Sequence, residues 1–187
     1  MLDSALAKRV RLVGLDIDGV MTDAGVYMGV GSSGPVELKC FSTQDSVGIK
    51  ILMEAGLEVV VVSGRVSEAT RLRAEELGIT EVIQEPDARK LPPFEALLDR
   101  IGIRMEDVAF LGDDLPDLPV LRRVGLPVAV QNAVLEVKEA ALFTTSRAGG
   151  SGAVREFVEV LLKARGEWAE AVDRYLTRRG GASRSAS

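Results

Sequence analysis

Two carboxylates stand two residues apart where a short apolar run ends, Asp16 and Asp18 in LDIDGVMTD. In extended backbone, side chains at i and i+2 point the same way. One carboxylate could then attack an electrophile while its neighbour handles a proton. Their repulsion tends to keep a proton on one of them near neutral pH, and Gly19 lets the chain turn sharply behind them. A bare Asp-x-Asp is also what a solvated strand end looks like; the preceding strand and the DGVMTD that follows shift the weight toward chemistry. Three further groups fall at comparable places. Ser63, in VVVVSGR with Gly64 and Arg65 behind it, offers a hydroxyl and backbone N–H groups to a phosphate oxygen, or else simply caps a helix. Lys90, in DARKLPPFEALL, could neutralise a phosphate or could be solvated. Asp113 and Asp114 close VAFLGDD with Asp117 one turn on, an acidic group that could complete a Mg²⁺ site with Asp16, while Asp114 also suits a helix N-cap.

Composition narrows the chemistry. The 187 residues include no histidine, which excludes Ser-His-Asp triads, phosphohistidine and His-ligated zinc. Carboxylates or lysine must move protons, and an oxygen-ligated hard cation is the natural metal. A formal charge of −5 and 4% aromatic residues argue against a nucleic-acid partner. Cys40 is the only cysteine, so no intrachain disulfide can form, and it reads as a small buried hydrophobe. No run is long and apolar enough for a signal peptide or a bilayer span, and a cytoplasmic protein is expected.

The elements that must position these groups form an α/β pattern. Val10 to Leu15, Val59 to Val62, Val108 to Leu111 and Val128 to Val130 read as strands buried on both faces. Helical stretches lie between them, the clearest carrying Phe94, Leu97, Leu98 and Ile101 on one stripe. Gly56, Gly78 and Gly102 sit where left-handed C-caps belong. Repeated helix, glycine, strand units predict a doubly wound parallel sheet, with the candidate groups at carboxyl ends of strands, where open α/β sheets bind ligands. Residues 24–41, with VYMGV and VELKCF around Gly-Ser-Ser-Gly-Pro, predict a protruding β-hairpin too small to be a cap domain. The core runs over 1–165. A C-terminal helical extension covers 166–179, whose stripe of Trp168, Val172, Tyr175 and Leu176 packs on its own sheet or between subunits. Residues 180–187 are expected to be disordered.

The ordered set DxDGVxTD, then SGR, then Lys, then GDDxxD resembles the haloacid dehalogenase superfamily, and within it the capless subgroup of the 3-deoxy-D-manno-octulosonate 8-phosphate phosphatases. The likeness runs from about Val10 to Leu162 and includes KxFxxxDxxGI and GGxGAVRE. It implies a Rossmann-like core and a magnesium-dependent phosphatase of lipopolysaccharide biosynthesis acting on a small phosphorylated sugar acid. It also implies a homotetramer in which the hairpin and the glycine-rich segment reach a neighbouring active site. By motif, Asp16 would be the nucleophile and Asp18 the general acid and later base. Ser63 and Lys90 would hold the phosphoryl group, and Asp16, the Asp18 backbone carbonyl and Asp113 would hold Mg²⁺. The substrate would meet Asp18, Ser42 to Ser46 (Asp45 the clearest match), Gly64, Arg65, Arg73 and Lys90, with the two arginines facing its acidic end.

The sequence departs from the family at Ser46, where Asp-Gly is usual; at IQEPDARK, where a glycine and one residue fewer precede the lysine and Pro86 is unusual; and at Pro116, where a bulky residue is common. These touch specificity rather than the phosphoryl machinery. A nine-carbon sialic-acid-type 9-phosphate or another small phosphomonoester is the neighbouring alternative. A phosphoaspartate signalling or binding module is the alternative of another class, although a receiver domain would carry its phosphoacceptor on a later strand than the first.

Overall fold

The computed structural model describes residues 2–181. Among them, six parallel strands form one sheet in the order β5, β4, β1, β6, β7, β8. These are β1 Leu12–Leu15, β4 Glu58–Ser63, β5 Glu81–Gln84, β6 Val108–Gly112, β7 Leu126–Ala129 and β8 Phe143–Thr144. β1 lies between β4 and β6, pairing Leu12 with Glu58 on one side and with Val108 on the other. The chain therefore leaves β1 toward one edge and returns to build the other, and the reversal opens a crevice at the carboxyl ends of the three central strands. The four predicted strands are present, with β1 starting at Leu12 rather than Val10. The edge strands β5 and β8 are additional.

Every residue of β1, β6 and β7 is buried, as expected of strands covered by helices on both faces. Those helices include α2 Thr43–Glu54, α3 Glu68–Leu77, α4 Leu91–Ile101 and α7 Ala153–Arg165; shorter ones are α1 Ser4–Arg9, α5 Leu118–Leu121 and α6 Leu135–Ala140. α4 buries Phe94, Leu97 and Leu98, and Phe94 meets Phe110 of β6 edge-on at 5.7 Å between ring centres. A Cβ on Gly14 would stand 2.5 Å from that Phe110 ring, so glycine in β1 is what lets the aromatic pair fill the core under the site. Gly78 and Gly102 cap α3 and α4 in the left-handed region, and Gly56 follows α2 in the same conformation.

The hairpin stands apart as a two-stranded antiparallel sheet, β2 Tyr27–Gly31 and β3 Gly34–Leu38, with Gly31 opposite Gly34. Tyr27, Met28, Val30, Val36 and Leu38 on it are exposed. No cap unit is inserted beside it among the described residues.

The stripe Val154, Phe157, Val158, Leu161, Leu162 of α7 is buried. The helix after it, α8 Trp168–Thr177, packs on α2 and α7 of its own chain, burying Ala171 and half-burying Trp168, Val172 and Tyr175, while Leu176 stays exposed. Cys40 is exposed rather than buried, because it follows the hairpin where the chain runs along the surface. Of the terminal segment expected to be disordered, 182–187 lie outside the described residues, and Gly180 and Gly181 hydrogen bond back to Thr177 and Leu176. No helix of the described residues is long and apolar enough to cross a membrane.

Candidate active site

Asp16 follows β1 directly and is buried, its N–H donating to the carbonyl of Leu111 at 3.1 Å and so extending the β1/β6 ladder by one step. Behind it Ile17–Met21 closes a tight turn in which Gly19 takes φ +104. A Cβ there would lie 1.9 Å from the Asp113 carboxylate, so this position needs glycine both for the turn and for the approach of Asp113. Thr22 locks the turn. Its hydroxyl donates to the Ile17 carbonyl at 3.1 Å and accepts from the N–H groups of Gly19 at 3.4 Å and Ala24 at 3.3 Å.

Three carboxylates converge there, Asp16, Asp113 and Asp117, with one oxygen from each lying within 4.8 Å of the others. Lys90, at the first turn of α4, places its ammonium among them, donating to Asp16 Oδ1 at 2.5 Å and Asp117 Oδ1 at 2.6 Å. Asp117 also accepts the backbone N–H of Asp113 at 3.0 Å and of Asp114 at 3.4 Å, which makes it the anchor of the lysine and of the loop. Asp114 caps the turn after β6 through the Leu115 N–H.

One ammonium cannot balance three ionised carboxylates in a low-dielectric crevice. Burial, and then the charge of Asp117, raise Asp16 well above the usual carboxylate range, with Lys90 opposing. Asp113 is pushed up to about 7 by burial and by Asp117. For Lys90 burial acts to lower the pKa, but the fields of Asp16 and Asp117 outweigh it and keep the side chain protonated. The surplus negative charge, on hard oxygen donors, fits a divalent cation such as magnesium. Asp117 has both oxygens engaged, by Lys90 and by two N–H groups, whereas Asp16 meets Lys90 through Oδ1 alone; Asp16 and Asp113 are the side chains that could ligate it.

The crevice is a cleft of 220 Å³ lined by Asp16, Asp18, Gly64, Arg65, Lys90 and Pro116 among others. Larger hollows exist, such as a 340 Å³ one around the amino ends of β1 and β4, but it lies at the opposite end of the sheet from these groups. Gly64 lets the loop after β4 approach Lys90, since a Cβ would meet Ala88 at 3.0 Å and the lysine stem at 3.4 Å. In the segment that departs from the family, Ala88 takes φ +56, a left-handed conformation that costs a non-glycine residue about 1 kcal/mol.

The other predicted groups are placed as follows. Ser63 is buried, its hydroxyl donating to the Arg65 carbonyl at 3.1 Å and accepting the Arg65 N–H at 3.2 Å. It does not cap α3; Ser67 does. Arg65 lines the cleft and pairs with Glu37 at 2.8 Å. Arg73 and Ser46 do not line the cleft; they hydrogen bond to each other, with the Arg73 guanidinium 5.3 Å from the centre of the Phe41 ring. The carboxylate of Asp45, expected at the substrate, is buried and accepts from Gly152 N–H at 3.2 Å and Arg155 N–H at 2.8 Å at the start of α7. It ties the loop to that helix. The glycine-rich segment packs against the turn behind Asp16 in its own chain: Gly150 N–H donates to the Val20 carbonyl at 3.1 Å, and a Cβ on Gly149 would stand 1.8 Å from the Gly19 carbonyl oxygen. Asn132 joins the two, donating to Gly19 O at 3.1 Å and accepting from Gly149 N–H at 2.7 Å.

Comparison with known proteins agrees with this geometry. Residues 81–157 match the haloacid dehalogenase-like hydrolase family. The 3-deoxy-D-manno-octulosonate 8-phosphate phosphatase KdsC of Escherichia coli is 41% identical over 167 residues, 89% of this chain and 87% of that protein; the Yersinia pestis enzyme of that name is 40% identical over 158 residues, 84% and 82% of the two chains. Among solved structures, the 3-deoxy-D-manno-octulosonate 8-phosphate phosphatase of Moraxella catarrhalis, in complex with magnesium, phosphate and KDO, superposes with a TM-score of 0.84 at 33% identity, covering 92% of this chain and 97% of that one. The Yersinia pestis phosphatase does so with a TM-score of 0.82 at 37% identity, covering 89% and 88%.

Proposed function

The chain belongs to the haloacid dehalogenase-like hydrolases, and from that premise we propose that it hydrolyses 3-deoxy-D-manno-octulosonate 8-phosphate through a phosphorylated Asp16. The observation that carries this is the buried Asp16 and Lys90 pair at the switch point of the sheet, 2.5 Å apart, in a chain 41% identical to phosphatases of that name. In the proposed cycle an Asp16 oxygen attacks phosphorus while the bond from phosphorus to the sugar oxygen breaks. That oxygen takes its proton from Asp18. Water then attacks the acyl phosphate, giving a proton back to Asp18, and the bond between phosphorus and Asp16 breaks to release inorganic phosphate, leaving Asp16 a carboxylate and Asp18 protonated as at the start. Lys90 and the N–H groups of the loop after Ser63 hold the phosphoryl oxygens. Asp16, the backbone carbonyl of Asp18 and Asp113 would hold Mg²⁺, which when bound neutralises phosphoryl charge. Gly64 and Arg65 face the rest of the substrate, Arg65 toward its acidic end. Arg73 and Ser46, joined to each other, and Asp45, tied to α7, shape the loop that closes that end.

A panel of phosphomonoesters with Mg²⁺ tests the reading. The highest kcat/KM is expected for the eight-carbon sugar-acid phosphate; preference for a nine-carbon 9-phosphate, or for phosphates without a carboxylate, would overturn it. The exposed apolar hairpin suits a homotetramer contact, and a monomeric mass in solution would overturn that assembly. The reaction is assigned to the cytoplasm, as fits a chain with one exposed thiol, and recovery in a membrane or periplasmic fraction would count against it.

The raised carboxylates set a pH dependence for the metal. Unfolded aspartates titrate near 3.9, so the folded, metal-free protein retains protons that the unfolded chain releases. Its stability therefore falls as pH rises from about 4 through the Asp113 value of about 7. A cation bound by the deprotonated set restores that loss. Mg²⁺ should raise the melting temperature strongly at pH 8 and little at pH 5, and Asp113→Asn should remove most of the effect. Equal increments at the two pH values would contradict the site.

A further inference from the structure

Each carboxylate of the Asp16/Asp18 pair has a lysine of its own. Lys90 serves Asp16. Lys39, directly after β3, reaches Asp18 with its ammonium 2.7 Å from Oδ1 and 2.9 Å from Oδ2. The Lys39 side chain is 0% exposed, so the contact is a fixed part of the interior rather than a flexible surface pair. Nζ is also held 3.4 Å from the Thr70 hydroxyl of α3 and 3.7 Å from Glu37 Oε1. Glu37 is in turn fixed by the Ser67 hydroxyl at 2.5 Å and Arg65 at 2.8 Å. The hairpin base, through Glu37, and α3, through Thr70, thus hold one ammonium that also meets Asp18.

An ammonium that hydrogen bonds one oxygen, Oδ2, and stands 2.7 Å from the other restrains the rotation of the carboxyl group and leaves Oδ1 without a hydrogen-bond partner. Asp18 sits in a turn of non-helical backbone and lines the cleft, and a proton donor is effective only within hydrogen-bond reach of the oxygen that receives the proton. We propose that Lys39 is a positioning residue for the phosphatase reaction, aiming the Asp18 carboxyl at the leaving-group oxygen from the base of the hairpin. This rests on the role of Asp18 proposed above. Lys39 itself is not placed on substrate: it is enclosed, and the cleft lining includes Asp18 and Arg65 but not Lys39.

The test uses dependence on the leaving group. An alkyl phosphate expels a basic alkoxide that needs a proton, whereas p-nitrophenyl phosphate expels a stable phenolate that does not. The ratio kcat/KM reports the steps through cleavage of that bond, and general acid assistance is worth about 10²- to 10⁴-fold. Lys39→Met should therefore lose about 30-fold or more in kcat/KM on an alkyl phosphomonoester and less than about 3-fold on p-nitrophenyl phosphate. Lys39→Arg should recover part of the loss. In an Asp18→Asn background the Lys39→Met change should cost almost nothing more, because both act on one proton transfer. Lys39→Gln, which keeps a donor toward Asp18, provides a milder variant if the methionine one folds poorly, and should show the same selective loss at smaller size. Equal losses on both substrates, or an undiminished loss in the Asp18→Asn background, would overturn the inference alone. Asp18→Asn with no leaving-group sensitivity would overturn the acid role of Asp18 and this inference with it.

Discussion

Asp16→Asn should abolish phosphatase turnover, lowering kcat by about a thousandfold or more on every phosphomonoester the enzyme accepts. The amide has nearly the shape of the carboxylate but cannot form the acyl phosphate. No other group can take over the attack. The chain has no histidine, the Ser63 hydroxyl is bonded to the backbone of Arg65, and Asp113 and Asp117 are needed for metal and lysine. The fold should survive, because the substitution removes one negative charge from a buried set of three carboxylates, two of which pair with the one ammonium. Lys90 keeps its contact with Asp117 at 2.6 Å. Acid quenching during turnover, followed by peptide mass analysis, should find one phosphoryl group on the Asp16 peptide of the native protein and none in the variant. Turnover undiminished in a folded Asp16→Asn protein would refute the nucleophile assignment.

The layout of strands was legible because parallel strands covered on both faces must be continuously apolar, as in VVVV before Ser63. β5 carries no such run: EVIQ has polar ends, and all four of its residues are only half-buried. β8 contributes two residues at the sheet edge, too short for any period to register. The groups at the carboxyl ends of β1, β4 and β6 were also legible, since a carboxylate, a hydroxyl or an acidic pair directly after an apolar run is placed by topology alone. What those groups touch was less so. Asp45 matched a substrate-loop motif, yet its carboxylate serves backbone 107 and 110 residues away in sequence, a contact that no local pattern encodes. Nothing local to Lys39 in VELKCF or to Lys90 in DARKLPPFEALL names the aspartate it meets, and only folding brings them to carboxylates 21 and 74 residues away. Thr22 was visible as part of DGVMTD, but its function of holding the turn through three hydrogen bonds required the geometry.

Lys90→Met should combine a catalytic loss with a pH-dependent loss of stability, and the combination separates its two functions. Methionine can follow the path of the lysine stem but carries no charge. Losing one preorganised cationic donor to the phosphoryl group costs about 10²- to 10³-fold in kcat. Lys90 is also the cation lying 2.5 Å from Asp16 and 2.6 Å from Asp117, both buried. Removing one partner of a buried ion pair costs about 3–5 kcal/mol, because the remaining charge has lost both water and its counterion. The sign with pH follows from proton uptake. Without the ammonium the carboxylates hold their protons to still higher pH in the folded state than the raised values of the native protein, while the unfolded chain releases them near 3.9. The variant should therefore lie close to the native protein in stability at pH 4 to 5 and fall progressively below it as pH rises to 8. Mg²⁺ should recover part of the stability at pH 8, by replacing the missing positive charge, but not the activity, because the cation cannot stand where the ammonium met the phosphoryl oxygens. Thermal melts at pH 5 and pH 8, with and without Mg²⁺, read the first effect, and turnover at saturating substrate reads the second. A variant as stable as the native protein at pH 8 would show that Lys90 does not balance the buried carboxylates, and one with unchanged kcat would show that it does not hold the phosphoryl group.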